Sequence, residues 1–216
     1  MTLEDTMAMK RTDEAADRQG LPRSLTYEEF LARVDEDVRA EWVNGEVVLM
    51  SPVSDRHADL SGWLEALLRH YCEARQDGWV RSGSFQMKTG PDLPGREPDV
   101  LVVLGDHVSR VRKNHLDGPA DIAVEIVSPE SAGRDRGDKF YEYERGGVRE
   151  YWLIDPMRCQ AEFYQQSAGG LYVAAVLGED GVFRSNVLDG FWIEVRWLWQ
   201  EKLPMLMSVL KAWDLA

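Results

Sequence analysis

Two short apolar runs, Pro98–Leu104 and Ile122–Val127, each carry one acidic residue, Asp99 and Glu125. Val- and Ile-rich runs of this length read as strands buried on both faces. A carboxylate in such a strand costs several kcal/mol of desolvation, roughly, unless a cation or hydrogen bonds compensate it. Two of them on neighbouring strands also repel each other. A hard divalent cation removes both penalties, because Mg2+ is held by one or two carboxylates together with substrate phosphate oxygens. The runs therefore point to a metal site built for a phosphate substrate, with Lys139 in the following segment Asp135–Lys139 as a third participant. A purely structural alternative stands beside this. Asp99 then ends a turn, Glu125 pairs with Arg134 or Arg136, and Lys139 is a solvated lysine beside Asp135 or Asp138.

Around these strands the pattern alternates between the two secondary-structure periods. Thr26–Leu31 reads as a short helix with a Thr26/Glu29 capping box. Arg39–Met50 reads as a β-hairpin turning at Asn44-Gly45, where both residues need positive φ. Asp55–Arg75 has Leu60, Trp63, Leu64, Leu67, Leu68 and Tyr71 at helical spacing, with Ser54 as its N-cap. Gly78–Lys88 reads as one strand and Gly90–Gly95 as a loop. A helix follows over Asp135–Arg145 and stops at Gly146-Gly147, and Tyr151–Ile154 is a further strand. The order helix, strand, strand, strand, helix, strand points to an α/β fold with a mixed sheet flanked by helices. Past Cys159 the texture becomes a meander, with Gln160–Tyr164 and Leu171–Val176 as a hairpin about Ala168-Gly169-Gly170.

The 216 residues suffice for one domain over 23–216, preceded by a polar, acidic stretch, residues 1–22, that reads as a disordered tail without a signal-peptide core. No apolar run approaches a membrane span of about 18 residues. Cys72 and Cys159 have no partner at zinc spacing and read as buried reduced thiols of a cytoplasmic protein. The net charge of −13 argues against a generic nucleic-acid binder, and residues 1–60 alone hold fourteen acidic against seven basic residues. The loop carrying Arg110, Arg112 and Lys113 is the local basic exception and the expected contact to a phosphate backbone. The tryptophans of the last segment, Trp192, Trp197, Trp199 and Trp213, serve either a core or a subunit interface. The second option gives a homodimer that could cut both strands of a duplex.

The combination Pro98-Asp99-Val100, Glu125-Ile126-Val127-Ser128-Pro129, Asp135 with Lys139 and Tyr143, and Gly147-Val148-Arg149-Glu150-Tyr151-Trp152-Leu153-Ile154-Asp155 resembles the Uma-type restriction endonuclease family. That family belongs to the PD-(D/E)XK nuclease superfamily. The likeness runs from about Thr26 to Val195 and includes Gly45-Glu46, Ser51-Pro52 and His57. It implies metal-dependent hydrolysis of DNA phosphodiesters, with Mg2+ or Mn2+ held by Asp99 and Glu125 and with Lys139 stabilising the developing charge. The superfamily lysine stands two positions after the second acid, where this chain has Val127, so its role passes to Lys139 on the next helix. The resemblance also brings forward His57, at the start of the long helix, and Glu46, after the hairpin turn, each against a structural alternative. A nuclease-like module without catalysis, acting in interaction or regulation, is the competing function. Gly-rich phosphate loops, serine-nucleophile elbows and paired zinc ligands are missing from the sequence.

Overall fold

A computed structural model describes residues 24–34, 38–83 and 85–215. The acidic stretch 1–22, expected to be a tail, lies outside the described residues. The first helix, α1 (Tyr27–Arg33), starts at Thr26, whose side chain accepts the Glu29 amide while the Glu29 carboxylate accepts the Thr26 amide. Strands β1 (Ala40–Val43) and β2 (Glu46–Leu49) form the hairpin, and Asn44 (φ 52°) with Gly45 (φ 91°) supplies the two left-handed residues of its turn. The long helix α2 (Asp55–Arg75) begins at Ser54, whose hydroxyl accepts the His57 amide.

The stretch 78–88, read as one strand, is two. β3 (Trp79–Ser82) and β4 (Gln86–Lys88) belong to different sheets, with Gly83 (φ 61°) between them. The expected loop 90–95 ends in a two-residue strand, β5 (Gly95–Arg96). β6 (Val100–Val103), β7 (His115–Asp117), β8 (Ile122–Ile126) and β9 (Glu150–Asp155) follow, with two short helices, α3 (Ala132–Arg136) and α4 (Asp138–Gly146), between β8 and β9. The single helix expected over 135–145 is thus broken at Gly137. Gly147, at φ 86°, ends α4 in the left-handed conformation that only glycine adopts freely.

One six-stranded sheet runs β11-β10-β9-β8-β6-β3, with β10 (Gln160–Gln166) and β11 (Tyr172–Ala174) forming the expected meander hairpin. β6 is antiparallel to β3 and β8, while β8 and β9 are parallel, so the sheet is mixed. A second sheet runs β2-β1-β5-β4-β7, and a small ribbon pairs β12 (Val182–Arg184) with β13 (Trp192–Glu194).

Every residue of β6, β8 and β9 is buried, and their side chains sort by parity. Val100, Val102, Ile122, Val124, Ile126, Trp152 and Ile154 face one way, onto α2 through Leu60, Leu64, Leu67, Leu68 and Tyr71. Leu101, Val103, Ala123, Val127, Tyr151 and Leu153 face the other, onto Tyr143 of α4 and onto Met87 and Leu116 of the second sheet. Each such aliphatic side chain contributes about 1.5–3 kcal/mol on burial. The tryptophans are spent on the first face. Trp213 meets Tyr71 edge-to-face and Phe191 at a tilt, Trp197 meets Trp63 edge-to-face, and the terminal helix α5 (Leu206–Ala212) packs on α2. The aromatic residues that suggested a subunit interface thus pack within the chain, Trp213 buried and Trp192, Trp197 and Trp199 half-buried. Cys72 is buried, but Cys159 is exposed in the tight turn between β9 and β10, at φ 50°, correcting the expectation of two buried thiols.

Candidate active site

Strand pairing puts the two acids together. Val100 lies opposite Val124, so the next rung sets Asp99 against Glu125, and parity turns both toward the α4 face. Asp99 is fixed from two sides. Its Oδ2 accepts the backbone amide of Ile126 at 2.8 Å, and its Oδ1 meets His57 Nε2 at 2.8 Å, with an Arg39 guanidinium nitrogen 3.7 Å away. His57, in the first turn of α2 just after the Ser54 cap, meets Asp99 immediately before β6 begins.

Glu125 accepts two bonds on one oxygen, Oε1: from Lys139 Nζ at 2.9 Å and from the Tyr143 hydroxyl at 2.8 Å. Lys139 and Tyr143 are one turn apart on α4, so one helical face delivers both. Lys139 is 1 % exposed, which replaces the picture of a solvated lysine, and Arg136 pairs with Asp155 and Glu162 rather than with Glu125. The ammonium is shared with two more carboxylates, Glu41 Oε1 at 3.0 Å and Asp135 Oδ1 at 3.4 Å. Both oxygens of Asp135 are buried without a hydrogen-bond partner among the described residues.

One lysine among three acids leaves the cluster short of positive charge. Burial pushes the Glu125 carboxyl well above the usual range; Lys139 opposes this, while Asp135, Asp99 and Glu41 add to it. Glu41 suffers the same desolvation, yet Lys139, Arg96 and Arg134 hold it down at about 2. The two partners of one ammonium move in opposite directions because Glu41 has a second cation in contact, Arg96, whose nitrogen donates to Oε2 at 2.9 Å. Lys139 is raised by Glu125, Glu41 and Asp135 despite its burial, and stays charged.

Glu46 does not join this group. It is exposed at the tip of the hairpin, paired across the turn with Val43. The hairpin instead contributes Glu41, fully buried on β1, which sequence reasoning passed over. The signal was an acid one residue from Trp42 in a strand, but two acids flank the same turn and the pattern alone does not choose between them. The basic loop lies elsewhere too. Arg110, Arg112 and Lys113 follow the far end of β6, roughly 16 Å of strand from Asp99 at about 3.3 Å per residue. There Arg110 donates to the Pro119 carbonyl and Arg112 pairs with Asp117.

A family profile described as "Putative restriction endonuclease", Uma2, matches residues 27–196. The chain belongs to this family. A solved structure from Anabaena variabilis ATCC 29413, described as a putative nuclease belonging to DUF820, superposes with a TM-score of 0.66 at 15 % identity. That alignment covers 81 % of this chain and 97 % of the other, and at this identity it speaks for the fold alone. No curated protein matches. The matched region contains every residue of the acid cluster. Among the described residues no three His, Cys, Asp or Glu side chains are arranged to enclose a metal ion. The donors present are carboxylate oxygens, two of them opposed on paired strands and in excess over their cations. This suits a hard cation that takes only one or two protein ligands.

Proposed function

We propose that the chain is a metal-dependent DNA endonuclease whose reaction takes place at Asp99, Glu125, Lys139 and His57. The observation that carries this reading is the pairing of Asp99 and Glu125 on one face of adjacent strands, with Lys139 bonded to Glu125. Asp99 and Glu125 would hold Mg2+ or Mn2+, which when bound polarises a phosphoryl oxygen and lowers the pKa of water. The chain's own part is orientation and charge. The Ile126 amide and His57 fix the Asp99 carboxylate, and Tyr143 and Lys139 fix Glu125 on one oxygen, leaving the other free of bonds from described side chains. The Lys139 ammonium would stabilise the negative charge that builds on the phosphate. A duplex cut on both strands needs two such sites, so the reading calls for a homodimer with both open.

The competing reading, a nuclease-like module without catalysis, draws on one observation: the cluster is closed, with Asp99 the most exposed of its acids at 7 %. Supercoiled plasmid incubated with Mg2+ or Mn2+ separates the two. The nuclease reading expects nicked and linear product, abolished by chelation and by Asp99→Asn. Intact plasmid under both metals would favour the silent module. Sedimentation equilibrium tests the dimer, and a mass near the 24.6 kDa monomer would refute it.

A further inference from the structure

The Lys139 ammonium has three protons and three acceptors, contributed by two sheets and a helix: Glu125 on β8, Glu41 on β1, and Asp135 on α3. Only the first two are at full hydrogen-bond distance. A lysine side chain has four rotatable bonds, so a contact to Glu125 alone would leave the ammonium free to swing about that carboxylate. Glu41 supplies the second fixed point, and it is itself anchored. Its Oε2 is held by Arg96, and Arg96 in turn grips Glu142, three residues after Lys139 on α4, through two bonds of 2.7 Å. The Glu97 amide approaches Oε1 at 3.4 Å. The chain Glu142–Arg96–Glu41–Lys139 thus leaves α4, crosses the second sheet, and returns to the same helix.

Resting on the nuclease reading above, we propose that Glu41 is a positioning residue: anchored by Arg96, it holds the Lys139 ammonium so that two protons stay committed to Glu41 and Glu125 and the third, loosely directed at Asp135, is presented to a phosphate oxygen. Burying a charged pair contributes little net stability compared with apolar side chains of the same volume, so stability alone does not explain a carboxylate with 0 % exposure here. Glu41 Oε1 and Glu125 Oε1 lie 3.0 Å and 2.9 Å from the same ammonium nitrogen, so positioning and metal ligation are separated by the Mn2+ affinity of the Glu41 variant.

The test is Glu41→Gln, nearly isosteric, read in two ways. In protein labelled with 15N-lysine, free of metal and DNA, the wild type is expected to show one slowly exchanging ammonium signal that vanishes in Lys139→Met. Glu41→Gln is expected to broaden or lose it. With plasmid and Mn2+, kcat is expected to fall about 10–100-fold with KM and the Mn2+ dissociation constant within twofold of wild type. An unchanged ammonium signal overturns the proposal, as does a tenfold weakening of Mn2+ binding, which would make Glu41 a ligand. Should Glu41→Gln fail to fold, Arg96→Gln, which frees Oε2 while keeping Glu41, is expected to weaken the same signal; an unaltered signal counts against the anchor. A wild type that cuts nothing removes the nuclease reading, and the metal-free ammonium signal still decides the role of Glu41.

Discussion

Lys139 is the residue on which most contacts converge. Its ammonium bonds Glu125 and so competes with any cation for that carboxylate. Removing the charge by Lys139→Met is therefore expected to lower kcat by about 10²–10³-fold, the usual cost of losing one donor to developing charge, while Mn2+ affinity stays equal or rises. Single-turnover cleavage together with a Mn2+ titration checks both halves; wild-type turnover would contradict the assignment. The two cysteines offer a second test at this scale. Burial, with Asp77 and Glu73 nearby, pushes the Cys72 thiol up to about 12, so almost none of it is thiolate at pH 8. Mass spectrometry after iodoacetamide treatment of the native protein at pH 8 is expected to find one label, on Cys159, and two after denaturation. Two labels in the native state would contradict the burial of Cys72.

Among the elements, the break between α3 and α4 sets the geometry of the site. A Cβ at Gly137 would lie 2.7 Å from the backbone oxygen of Gly133, and a backbone atom cannot easily give way. Gly137→Ala is thus expected to destabilise the fold by roughly 1–3 kcal/mol, since overpacking forces backbone shifts. It should also lower cleavage by displacing Asp135 relative to Lys139. A denaturation midpoint equal to wild type would show that the break is incidental. This break was not legible in the sequence, because Asp135, Lys139 and Tyr143 recur every four residues and an unbroken helix satisfies the same spacing. The core strands were legible for the opposite reason: continuous apolar runs bounded by Pro and Gly admit few alternatives, whereas it is the pairing register of β6 and β8 that puts Asp99 and Glu125 on one face. Local chemistry also announced the Asn44-Gly45 turn and the Thr26 capping box. What sequence could not supply was the tertiary meeting of β1 with α4, which makes Glu41 rather than Glu46 the acid beside Lys139. Nor did it show that Gly83 sends one apparent strand into two sheets.

Over the whole molecule, two sheets clamp α4, and the acids sit where the clamp closes. The tryptophans brace α2 from behind, so the sheet that carries the acids is backed by a packed aromatic layer. The formal charge of −13 opposes a DNA backbone at long range, and the basic loop stands at the far end of β6 with Arg112 already paired to Asp117. Neutralising Arg110, Arg112 and Lys113 together is expected to weaken DNA binding uniformly across sequences and to flatten its salt dependence only if that loop touches phosphate; an unaltered slope would remove it from the interface. No described helix is long and apolar enough to cross a membrane. The central claim is that Asp99 and Glu125 share one cation. The most direct measurement is the anomalous difference density of a crystal soaked in Mn2+. The account expects one peak about 2.1 Å from a carboxylate oxygen of each residue, absent in Asp99→Asn. A soaked crystal with no peak there, or with Mn2+ held elsewhere, would contradict it.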